Sequence, residues 1–127
     1  MPPSKGSASP DRQQAERHGR RAEALATLFL RAKFYAIRAR RFKTPVGEID
    51  LIVERFGTTV FVEVKARRAG RGEAEALEAV DARRITRAAQ YYLARHPALA
   101  DTPLRFDVIF VAPRAWPRHV VNAFDAV

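Results

Sequence analysis

The sequence predicts an α/β fold, a mixed β-sheet flanked by helices in the order α-β-β-β-α-β-β. Three observations carry that prediction. Two stretches place apolar residues at helical spacing, Ala22, Leu25, Ala26 and Phe29 in one and Ile85, Ala88, Ala89 and Tyr92 in the other. Between them, two β-rich runs stand about four residues apart, the spacing of a hairpin. The chain has 127 residues, 47% hydrophobic and 29% charged, which suits one domain with its own core.

Taken in order, residues 1–12 read as a flexible basic tail, because the first ten hold three Pro, three Ser and a Gly. Residues 13–127 form the single folded domain. Gln13 to Lys33 is the first helix, with Glu23 beside its apolar face. Phe34 to Phe42 mixes aromatic, β-branched and basic residues and reads as an edge strand. Pro45 and Gly47 make the next turn, and Glu48 to Val53 and Thr58 to Ala66 are the two hairpin strands around Phe56-Gly57. Gly70-Arg71-Gly72 opens a loop, and Glu73 to Arg95 is the second helix, stopped by Pro97. Leu104 to Val111 is an apolar, central strand, and His119 to Phe124 is a last edge strand.

Composition removes several chemistries. There is no cysteine, so disulfide scaffolds, thiol nucleophiles and Cys-ligated metals are excluded. Ser4, Ser7 and Ser9 are all the serines, so the folded body offers no serine nucleophile either. His18, His96 and His119 lack the spacing of a histidine metal site. No apolar run is long enough to span a bilayer and no secretory leader is evident, so the expected location is cytoplasmic, with no membrane partner. The formal charge of +9, from 23 basic and 14 acidic residues, favours a polyanionic partner: DNA, RNA or an anionic membrane surface.

The chemistry concentrates in the hairpin. In Val60-Phe61-Val62-Glu63-Val64-Lys65 the valines share one face, and Phe61, Glu63 and Lys65 share the other. On the preceding strand Glu48, Asp50 and Ile52 share a face, and Asp50 interrupts an apolar run where a carboxylate is costly unless paired or metal-bound. A register that sets Asp50 beside Glu63 brings together two carboxylates and an ammonium. That is a candidate site for Mg²⁺ or Mn²⁺, since such ions take one or two carboxylates and complete their shell with water and substrate phosphate. The plain alternative is a solvated ion pair between Glu63 and Lys65. Asp107 reads as a structural or capping partner, and Tyr91-Tyr92 as core and rim.

Asp50 followed after a hairpin by Glu63-Val64-Lys65 resembles the D…(D/E)xK signature of the restriction-endonuclease-like nuclease superfamily. The runs Gly47-Glu48-Ile49-Asp50-Leu51-Ile52 and Phe61-Val62-Glu63-Val64-Lys65-Ala66-Arg67 resemble the bacterial YraN-like family, as do Gly19-Arg20-Arg21-Ala22-Glu23 and Arg105-Phe106-Asp107-Val108. The resemblance implies a fold similar to Holliday-junction resolvases. By motif it implies Asp50 and Glu63 as metal ligands, Lys65 as the catalytic lysine and Glu23 as the acidic residue that such nucleases contribute from the first helix. It also implies a homodimer, because a junction has two-fold symmetry. One departure is that Arg83 or Arg84 stands where the family carries a lysine. Arg20, Arg21, Arg67, Arg68 and Arg71 are the candidate phosphate contacts.

Two functions are therefore expected from different classes. One is a metal-dependent nuclease hydrolysing phosphodiester bonds in DNA, with branched or damaged DNA as its suggested substrates. The other is a non-catalytic nucleic-acid-binding or assembly module on the same fold.

Overall fold

The computed structural model describes residues 10–66, 77 and 80–127, with side chains described from Gly19 onward. Two helices, α1 (Pro10–Ala32) and α2 (Ala82–Ala94), pack on a sheet of β1 (Ala36–Thr44), β2 (Gly47–Arg55), β3 (Thr58–Lys65), β4 (Leu104–Phe110) and β5 (Arg118–Val120). The strands lie side by side in chain order. All neighbours are antiparallel except β3 and β4, which run parallel with Lys65 beside Phe110. This is the predicted α-β-β-β-α-β-β order. Of the expected tail, residues 1–9 lie outside the described residues, as does the Gly70-Arg71-Gly72 loop.

Alternation along the strands feeds two cores. Val60 and Val62 point to one face and join Leu51, Val53, Ile109 and Val111 under Ala22, Ala26 and Leu30 of α1. Phe61 points to the other, where Ile52 and Phe106 meet Ile85, Ala88, Ala89 and Tyr92 of α2. The buried stripe of α1 therefore runs Ala22, Ala26, Leu30. Leu25, expected in it, is half exposed because the stripe follows four-residue steps.

Several boundaries differ from expectation for local reasons. β1 starts at Ala36, not Phe34, because α1 ends in a left-handed cap. Phe34 has φ +68°, its N–H donates to Arg31 O, and the Tyr35 N–H donates to Leu30 O. Glycine normally takes this position, so the sequence carries no signal for it. Phe34 is exposed, so Phe34→Gly removes strain without opening a core. It should raise stability by about 1 kcal/mol, read as a higher urea midpoint. Of the helix expected from Glu73, residues 73–76, 78 and 79 lie outside the described residues and Leu77 is helical, but the chain bends at Val80 and α2 starts from an N-cap at Asp81, whose carboxylate accepts from the Arg84 N–H at 3.1 Å. The apolar spacing of Leu77 and Val80 hid that stop. The last strand is Arg118–Val120 rather than His119–Phe124, because Asn122 turns the chain at φ +53°.

One end of the α1 face holds a buried polar cluster. Asp107, on β4, is fully buried and receives Arg105 Nε at 2.8 Å, Arg105 Nη2 at 2.9 Å and the Asn122 N–H at 2.9 Å. His119 Nε2 lies 2.6 Å from the same carboxylate and His119 Nδ1 lies 2.9 Å from Lys33 Nζ. An ammonium only donates, so Nδ1 accepts and Nε2–H donates to Asp107. Asp107 thus has the expected structural role, as a hub that joins β4 to β5 and, through His119, to Lys33 just beyond α1. Burial works against its charge, but the His119, Arg105 and Asn122 hydrogen bonds outweigh it and hold its pKa below the usual carboxylate value. A depressed pKa contributes stability above the unfolded value, about 3.9, that is lost as pH falls through the folded value. The melting temperature should drop below about pH 4, and Asp107→Asn should flatten that drop.

Candidate metal and nucleic-acid site

The β2–β3 register sets Leu51 opposite Val62, so the next pair outward is Asp50 and Glu63. Strand pairing stops there. The Asp50 carboxylate fills the gap and Oδ2 accepts the Val64 N–H at 2.7 Å. The expectation that Glu48, Asp50 and Ile52 share one face by simple alternation does not hold. Ile49 and Ile52 enter the same core although three apart, and so do Ala39 and Phe42 on β1. Both strands turn over between these pairs, where Arg41 has φ +51°. Gly47, at the start of β2, allows the close approach of α2. A Cβ there would lie 3.1 Å from the Arg84 carbonyl oxygen.

The structure brings Asp50, Glu63 and Lys65 together. Lys65 Nζ lies 3.4 Å from Glu63 Oε1, with both side chains about one-fifth exposed. Burial, and then the Glu63 charge, push the Asp50 pKa up to about 7, against the opposing Val64 hydrogen bond. Burial also raises Glu63, offset by the Lys65 ammonium and by a hydrogen bond to Asp50. Glu23 is close enough for its charge to raise Asp50 further. Its Oε2 is held by Arg41 Nε at 2.6 Å. Glu48, exposed on β2, adds to the same negative field.

The donor set fits a divalent cation that keeps water. Two half-buried carboxylates repel one another, and among the described residues the ammonium within ion-pair distance is Lys65, on Glu63. A cation would relieve that repulsion. Among the described residues, no three His, Cys, Asp or Glu side chains are grouped to hold a metal by themselves. Asp50 and Glu63 would thus supply two ligands, leaving the others to water and phosphate, the Mg²⁺ pattern.

Next to these acids lies an open cleft of ≈ 430 Å³ lined by Arg20, Arg40 and Arg41. Arg20 is an expected phosphate contact, while Arg40 and Arg41 were not anticipated. In a regular strand two consecutive residues face opposite ways, and only the left-handed Arg41 lets both reach one cleft. The run of arginines in Arg38-Ala39-Arg40-Arg41 was the available signal. Arg21 does not join them. It lines a separate groove with Ala22, Leu25, Ala66, Val111, Ala112 and Pro113. Arg67, Arg68 and Arg71 lie outside the described residues. Arg84, one of the two arginines considered for the place of the family's lysine, reaches the Val46 carbonyl at 3.5 Å.

No helix among the described residues is long and apolar enough to cross a membrane. The chain is 54% identical over 110 residues to a UPF0102 protein of Parvibaculum lavamentivorans (strain DS-1), covering 87% of this chain and 83% of that one. It is 51% identical over 120 residues to a UPF0102 protein of Methylorubrum extorquens (strain PA1), covering 93% and 94%. A UPF0102 protein of Bradyrhizobium sp. (strain ORS 278) is 52% identical over 119 residues, covering 94% and 84%. The family model for uncharacterised protein family UPF0102 matches residues 22–111, which include Glu23, Asp50, Glu63 and Lys65. With relatives at this identity over nearly the whole chain, the protein belongs to UPF0102.

Proposed function

We propose that this protein is a metal-dependent nuclease that hydrolyses phosphodiester bonds in DNA, with branched or damaged DNA as candidate substrates. One observation carries the reading. Asp50 and Glu63 share a half-buried site with Lys65, 3.4 Å from Glu63, beside an arginine-lined cleft. Asp50 and Glu63 would hold Mg²⁺ or Mn²⁺. When bound, a divalent ion supplies Lewis-acid polarisation of the phosphoryl group. Lys65 stands where its ammonium can stabilise charge growing on the phosphoryl oxygens. Arg20, Arg40 and Arg41 hold the flanking phosphates, and Glu23 orients Arg41 through their hydrogen bond.

The test is cleavage of labelled duplex, single-stranded, flap and junction DNA, with RNA in parallel, in Mg²⁺, Mn²⁺ or EDTA. Cutting that requires a divalent ion is the expected result. Binding without cutting under either metal would overturn the enzyme reading in favour of the binding module. Mn²⁺ should also raise the melting temperature of the parent and not of Asp50→Asn, since a ligand stabilises only the state that binds it. Each arginine that neutralises a phosphate steepens the salt dependence of duplex binding, by about 0.9 in the slope of log K against log salt. Arg40→Ala should lower the slope by about that amount, read by titrations from low to moderate salt.

A further inference from the structure

We propose that Trp116 is a stacking platform for an unpaired base, so that the site prefers DNA with single-stranded character. This rests on the nuclease reading for the position of the strand, but not on catalysis. Trp116 is the chain's single tryptophan and is 90% exposed. Tryptophan is among the most buried residues on average, because its ring offers so much apolar area. Its place in the fold gives the exposure a use.

Lys65, Phe110 and Arg118 lie abreast on β3, β4 and β5. Adjacent strands are about 4.8 Å apart, so Arg118 is roughly 10 Å from Lys65 along the sheet edge. Trp116 lies two residues before Arg118, in the loop that projects beyond this same edge. With Arg118 roughly 10 Å from Lys65 and Trp116 two residues further, the loop lies within a few nucleotides of a phosphate held at Lys65. Arg114 and Arg118 flank it and are exposed, which suits a backbone threading past the ring. Among the described residues the other exposed aromatics are Phe34 and Phe56, which follow α1 and β2 at the opposite end of the sheet, and Tyr91 on α2, which is only 41% exposed. Phe56 already lies against the Arg55 guanidinium at 5.3 Å. Only an unstacked base can present its face to Trp116; a paired base in a duplex cannot.

Because Trp116 is the single tryptophan, its emission reports the contact directly. The full chain in EDTA is titrated with a single-stranded 15-mer, a blunt duplex and a flapped duplex, while the anisotropy of labelled copies measures affinity. Single-stranded and flapped DNA should quench the emission, and the duplex should bind without quenching. Trp116→Ala should lose on the order of ten-fold in single-strand affinity with duplex affinity unchanged, and Trp116→Phe should keep most of it. Equal quenching by duplex, unchanged affinity in Trp116→Ala, or no DNA binding would each overturn the proposal. So would emission that shifts with protein concentration alone, which would assign the ring to a contact between copies. Asp50→Asn should still quench. Selective quenching without cutting would sink the nuclease reading and keep this one, whereas metal-dependent cutting with unselective quenching would do the reverse.

Discussion

Asp50→Asn and Lys65→Ala should each slow single-turnover DNA cleavage by several hundred-fold while DNA affinity stays within a few-fold of the parent. Lys65 is about one-fifth exposed and 3.4 Å from Glu63, so its charge acts in a partly desolvated site. A donor so placed toward a transition state is worth on the order of 3–4 kcal/mol, which gives the expected rate loss. On the proposed function, affinity would reside mainly in the arginine cleft. Asp50→Asn has a second readout. The amide oxygen can still accept the Val64 N–H, and one of two repelling carboxylates is gone. Its melting temperature should therefore equal or exceed the parent's. A variant that is inactive and no less stable marks a charge kept for something other than folding. Should both variants cut at the parent's rate, Asp50 and Lys65 are not the catalytic pair.

The second large effect concerns stability. Asp107→Ala should cost about 3–5 kcal/mol, because it removes one partner of a buried ion pair and strands the others. Arg105 would lose both of its contacts to the carboxylate, and His119 and the Asn122 N–H would each lose one. Domains of this size are stable by only about 5–15 kcal/mol. Chemical denaturation followed by circular dichroism should show a much lower midpoint, and a loss under about 1 kcal/mol would show that Asp107 is not the hub. Because His119 joins β5 to the cluster, the residues of β5 should lose hydrogen-exchange protection first in this variant.

Much of this was legible in the sequence because two periodicities are strong. Alternation in Val60 to Lys65 and the helical repeat from Ile85 to Tyr92 each name a buried face, and both faces are buried as read. The approach of Asp50 to Glu63 was legible for a related reason, since a short turn fixes the hairpin register. What escaped depends on backbone geometry without a residue signature. Left-handed Phe34 and Arg41 occupy conformations usually taken by glycine. The first shifted a strand boundary, and the second turned two consecutive arginines into one cleft. The Asp107 cluster escaped because its partners come from residues 33, 105, 119 and 122, and sequence distance hides such meetings.

The parallel pairing of β3 with β4 bears on the order of folding. β1, β2 and β3 form a local meander whose contacts close over short loops, and such contacts form early. The Lys65–Phe110 pairing must instead wait for the α2 crossover to be made and closed. On a ribosome, Asp50, Glu63 and Lys65 would emerge well before the strand that walls their site. The acids can meet in the nascent chain, but the Trp116 loop and the edge that carries it come together only after the α2 crossover has closed. A chain built this way would gain the full reach of its site only once the crossover is made, however early its acids have met.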